Sequence, residues 1–115
     1  MKPRAILALL GIVLLAAGGW WWWHAGTQQA LVASALPALP DLRATSPALG
    51  GEVAAANARA RGRLPARRGL VELSRLYHGN GFFAEALACY SILEQLEPSE
   101  PRWLHLHAFI LANYG

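Results

Sequence analysis

The chain has 115 residues and one cysteine, room for one small domain plus an anchor or tail and no internal disulfide, which argues against a large enzyme. Only 15 % of the residues are charged and 55 % are hydrophobic, so a disordered polar tail is excluded for the chain as a whole. Within the net charge of +3, residues 52–79 hold six arginines against Glu52 and Glu72, whereas residues 80–115 hold Arg102 against four glutamates. That acidic last third, with an apolar start, argues against nucleic acid as a partner.

Lys2 and Arg4 form a short basic flank, after which Ala5–Trp23 is uncharged and mostly apolar. As a helix this run is roughly 28 Å long, close to the ~30 Å hydrocarbon thickness of a bilayer. Only a helix satisfies its own backbone groups there. Trp20, Trp21, Trp22 and Trp23 fall where an interfacial aromatic belt stands, with the rings inward and the N–H groups wet. Residues 1–26 are therefore expected to form a single-pass transmembrane helix. By the positive-inside rule Lys2 and Arg4 stay cytoplasmic, and the rest of the chain lies on the extracytoplasmic (periplasmic) side. A cleaved signal would need small residues soon after Ala17. The first A-x-A is Ala33-Ser34-Ala35, beyond the tryptophans, so an uncleaved signal-anchor is favoured.

Residues 27–51 contain Pro37, Pro40, Pro47 and Gly50-Gly51. They read as an extended linker that holds the body off the membrane. Glu52–Arg61 is alanine-rich and predicts a helix starting near Pro47 or Gly51 and ended by Leu64-Pro65. Arg59, Arg61, Arg63, Arg67 and Arg68 make a basic run. Nucleic acid and anionic lipid headgroups are its functional readings, and a solvated helix end is the plain one. No aromatic residue interleaves with these arginines to stack a base, and the solvated helix end is preferred.

Leu70, Leu73, Leu76 and Tyr77 recur at helical spacing, and Gly79-Asn80-Gly81 breaks the pattern. A second helix carries Ala86, Leu87, Tyr90 and Leu93 on its repeating face, with Glu94 and Glu97 away from it, and stops at Pro98. Ser99 is placed to cap a third helix, with Pro101 in its first turn. Trp103, Leu104, Leu106, Ala108 and Leu111 are the apolar residues of that helix.

Over these last fifty residues the sequence resembles the tetratricopeptide repeat, whose pattern is W-x2-L-G-x2-Y, then A-x3-F, then P, over about 34 residues. The chain reads Leu70-x2-Leu73-Ser74-x2-Tyr77, then Ala86-x3-Tyr90, then Pro98, with Gly81 at the inter-helix turn. Leu93 stands where the family usually has alanine. One repeat length further on, Leu104, Ala108, Leu111 and Gly115 pair with Leu70, Ser74, Tyr77 and Gly81. The resemblance implies an all-α chain: an N-terminal transmembrane helix, a Pro/Gly linker, and antiparallel helix hairpins of an α-solenoid over residues 52–115. The full repeat is expected at 67–100 and a half repeat at 101–115. Because Gly115 falls at a turn, the chain is expected to be a fragment or to complete itself by self-association.

The same resemblance implies a membrane-anchored scaffold that binds a protein or peptide partner. First helices of such repeats line a concave groove, so the partner-facing positions by register are Arg68, Val71, Arg75 and His78, then Arg102, His105 and Phe109. Three arginines without an opposing carboxylate point to an acidic ligand. No phosphate-binding loop, nucleophile elbow or H-E-x-x-H motif occurs. His105 and His107 fall on different helix faces, His78 reads as a helix-end residue, and Cys89 reads as a small buried hydrophobe. No catalysis, cofactor or metal is expected. The competing functional readings are the anchor and docking segment of a larger exported enzyme, and a secreted repeat protein released near Ala35.

Overall fold

The computed structural model describes residues 2–63 and 66–115. The Leu64-Pro65 break expected after the alanine-rich helix lies outside those residues. Among the described residues every regular element is an α-helix: α1 Pro3–Ala35, α2 Pro47–Arg61, α3 Ala66–Gly79, α4 Phe83–Leu96 and α5 Pro101–Tyr114.

α1 is long and apolar enough to cross a membrane, and none of its most apolar stretch is buried. At about 50 Å for its length, it accounts for much of the 67 Å long axis of the molecule. The helix does not stop near residue 26. It continues through nine residues expected in the spacer, because Thr27–Ala35 contains no helix breaker. Pro37 is the first, and it holds Leu36 extended at φ −66°, ψ 129°. This added stretch also packs: its Val32 and the capping Leu36 are buried and join the core of the helical body. The body is therefore docked on α1 rather than held away from it, and the irregular connection shrinks to residues 36–46.

α2 begins where Ser46 accepts a hydrogen bond from Leu49 N at 3.1 Å, with Pro47 as its first residue. Its buried face is Val53, Ala56 and Ala60, small enough for α3 to come close. Gly69 is the point of contact. A Cβ there would lie 2.6 Å from the Arg59 carbonyl carbon and closer still to Ala60 N. Gly69→Ala is expected to lower the thermal midpoint, since crowding a packed crossing costs about 1–3 kcal/mol. An unchanged midpoint in scanning fluorimetry would show that α3 does not cross α2 so tightly.

Leu70, Leu73, Ser74 and Tyr77 of α3 are buried, as are Ala86, Cys89, Tyr90 and Leu93 of α4. Between the two helices Gly81 reverses the chain at φ 83°, a left-handed conformation that favours glycine. α5 is capped by Glu100 rather than Ser99: the Glu100 carboxylate accepts from Arg102 N at 3.2 Å, and Pro101 occupies the first turn. Trp103 and Ile110 seat α5, while Leu104, Phe109 and Leu111 are exposed.

Successive helices alternate in direction. Near α1, Gln29 Nε2 donates to Arg61 O at 3.0 Å and Arg63 Nη2 donates to Trp22 O at 3.2 Å. Arg67 pairs with Glu97, and Trp103 Nε1 donates to Glu97 at 2.6 Å, so the start of α3, the end of α4 and the start of α5 meet. By this alternation they share the end that holds Arg63 and Trp22. The Phe83–Tyr114 stack, with centroids 4.1 Å apart, marks the far end.

Candidate functional site

α3 and α5 both pack on α4 and leave a groove of about 320 Å³ between them. Val71, Ser74, Arg75 and His78 line it from α3, Arg102, Trp103 and Leu106 from α5, and Tyr90 from α4 beneath. The floor is aromatic. Tyr90 and Trp103 are each 2 % exposed and lie nearly parallel, with centroids 6.3 Å apart. His78 Nδ1 and Tyr90 Oη are hydrogen-bonded at 2.8 Å, and the His78 ring also meets Phe83 and Phe109, each at 6.2 Å. Burial holds the Tyr90 phenol above its ordinary value, so it stays protonated at neutral pH.

Cations stand on the rim. Arg75 is exposed and has no carboxylate within 4 Å among the described residues. The Arg102 guanidinium lies over the Trp103 ring at 4.3 Å. Arg102 also has Glu100 at 4.0 Å, so the expectation of three arginines without an opposing carboxylate holds only for Arg68 and Arg75.

Of the seven positions expected to face a partner, the groove unites Val71, Arg75, His78 and Arg102. Phe109 touches its edge through His78. Arg68 and His105 are exposed and do not line it. The reason is geometric: a groove between neighbouring helices takes one flank of the first and the opposite flank of the second. A single repeat register reproduces the same flank twice, and therefore missed Trp103 and Leu106. Tyr90 was legible only as a packing residue, because nothing in its spacing shows that its hydroxyl reaches His78.

The glutamates of α4 differ from the expected solvated face. Glu94 Oε1 lies 2.9 Å from His107 Nδ1, tying α4 to α5. Glu97 receives both the Arg67 guanidinium and the Trp103 N–H, and these hydrogen bonds hold its carboxyl below the usual carboxylate range. A carboxylate lowered by its native partners stabilises the fold above its unfolded pKa of about 4.3, and that contribution is lost as pH falls through the folded value. The full chain is therefore expected to be more stable than Glu97→Gln at neutral pH, with the gap closing below about pH 4. A gap that persists at pH 3 in denaturant titrations would trace it to geometry instead of charge.

Cys89 is fully buried, and burial pushes its thiol up to about 12. It carries no appreciable thiolate at neutral pH. Among the described residues no three His, Cys, Asp or Glu side chains converge on a metal-sized site. A wider depression between α2 and α3, lined by Ala48, Glu52, Ala55, Arg59 and Glu72, adjoins the groove at Arg75. Two of its charges close on one another, Arg59 and Glu72 being paired at 2.7 Å.

The repeat-signature residues fall into two groups. Leu70, Leu73, Ser74, Tyr77, Ala86 and Tyr90 are core, Gly81 turns the chain, and Pro98 lies between α4 and α5. Ala108 is exposed, and Gly115 caps α5. Trp20, Trp21, Trp22 and Trp23 are all more than half exposed on α1. No family model, curated protein or solved structure matches the chain.

Proposed function

We propose that the chain is a membrane-anchored interaction module of the tetratricopeptide type, with α1 as an uncleaved signal-anchor. The amino terminus is cytoplasmic and helices α2–α5 stand on the extracytoplasmic side, where they hold an acidic peptide or protein segment. The burial of Val32 and Leu36 in the core supports retention of α1, since a cut near Ala35 would pull Val32 out of the fold it completes.

The groove between α3 and α5 is the binding site. The observation that carries this reading is the pairing of Arg75 and Arg102 on the rim with Tyr90 and Trp103 on the floor. Guanidinium forks match carboxylates, and an aromatic floor takes an adjoining apolar side chain. Cations and ring faces suit capture of a ligand rather than its chemical conversion.

The test is binding of a panel of acidic and neutral peptides to the full chain in nanodiscs. Acidic peptides are expected to bind preferentially, and Arg75→Glu to weaken them about tenfold or more, as loss of a charged hydrogen bond implies. Binding that Arg75→Glu leaves unchanged would dispose of the groove.

A further inference from the structure

Beyond the packing on Val32 and Leu36, the helical body reaches α1 at Trp22, and it does so with its arginine-rich end. Arg63 makes the join. Its guanidinium carbon lies 4.0 Å from the centre of the Trp22 ring, and its Nη2 donates to the Trp22 carbonyl at 3.2 Å. Gly26, one turn on, leaves room for this: a Cβ there would come within 3.1 Å of the same guanidinium carbon. Arg61 and Arg68 flank Arg63 in the chain, at the end of α2 and the start of α3. Both are exposed, and none of these three has a carboxylate within 4 Å among the described residues.

The two ends of the body differ in charge. At the far end Arg43 is closed by Asp41 at 2.8 Å, and Glu85 sits in the first turn of α4. At the end beside Trp22, Arg67 is taken up by Glu97 and Arg102 faces Glu100 at 4.0 Å, and Arg61, Arg63 and Arg68 remain. A tryptophan belt fixes the headgroup level of a spanning helix. Arg63, held on Trp22, is therefore at the depth of lipid phosphates.

We propose that Arg61, Arg63 and Arg68 form a collar beside Trp22 that binds the phosphates of anionic phospholipids in the leaflet at the carboxyl end of α1. This rests on the reading of α1 as a membrane span. The collar seats the body directly on the bilayer. It also gives the arginine run a ligand in place of bulk water. Guanidinium groups pair with phosphate oxygens in bidentate fashion, and basic residues near an anionic surface each strengthen binding about fivefold.

The experiment uses the full chain in phosphatidylcholine vesicles that carry a fixed share of either brominated phosphatidylglycerol or brominated phosphatidylcholine. Quenching of the belt tryptophans reports which lipid sits beside them, and alkaline carbonate extraction reports the anchor separately. The expected result is a preference of about tenfold or more for phosphatidylglycerol, falling towards parity in Arg61→Gln/Arg68→Gln and in about 0.5 M salt. That double variant leaves the Arg63 clamp in place, and circular dichroism checks that the helices remain. Equal quenching by the two lipids in a carbonate-resistant native chain overturns the collar alone. So does a native preference that survives in the double variant. Extraction of the native chain by carbonate overturns the span and the collar with it.

Discussion

Replacing Leu10 and Leu14 together by arginine is expected to release the chain from membranes. Both residues lie in the apolar stretch of α1, are 57 % and 66 % exposed, and belong to a stretch with no buried residue. The change should therefore leave α2–α5 folded while removing the reason for α1 to sit in lipid. An arginine near the centre of a spanning helix costs about 2.5–3.5 kcal/mol on the insertion scale, and two cost about 5–7 kcal/mol. That exceeds a thousandfold in partition on any ordinary reading of the scale. The native chain should stay with the membrane pellet after an alkaline carbonate wash, and the double variant should appear in the supernatant. A double variant that still sediments would mean that something other than Ala5–Trp23 holds the chain to the bilayer.

Much of this architecture is legible in the sequence because it rests on short-range rules. The apolar run, the proline and glycine breaks, and the leucine spacing of α3 each fix an element without reference to the others. Pro47 behind Ser46 and Pro101 in the first turn of α5 mark helix starts as their dihedrals require. What the sequence leaves hidden is tertiary. Thr27–Ala35 reads as spacer because it opens on the polar Thr27-Gln28-Gln29 and its flank is proline-rich. Its helix runs on because no breaker precedes Pro37, and Val32 and Leu36 then pack on the body of α2, α3 and α4. Glu94 and Glu97 look solvated because their partners, His107, Arg67 and Trp103, are far away in the chain or on another helix. Gly69 looks like an ordinary helix-weakening glycine until α2 is laid across it. The groove divides in the same way. Its arginines are read from the register, and its aromatic floor appears only when α4 is placed under α3 and α5.

Truncations at matched repeat positions are expected to have opposite outcomes. Leu70 and Tyr77 are fully buried between α3 and α4, whereas Leu104 and Leu111, one repeat length later, are 64 % and 52 % exposed. The residue types are alike and the helical spacing is the same. Only the presence of a covering helix differs: α4 lies on the first pair, and the second pair faces outward from α5. Leu70→Ala removes buried methyls and leaves a cavity, at about 2–5 kcal/mol, and Tyr77→Ala should fall in a similar range. Leu104→Ala and Leu111→Ala uncover nothing that is packed, and surface changes of this kind stay within about 0.5 kcal/mol. Chemical unfolding of the full chain in detergent, followed by tryptophan fluorescence, measures all four. Equal losses at the two pairs would mean that Leu104 and Leu111 are covered as Leu70 and Tyr77 are. Losses at Leu104 and Leu111 that grow with protein concentration would show a second copy covering α5.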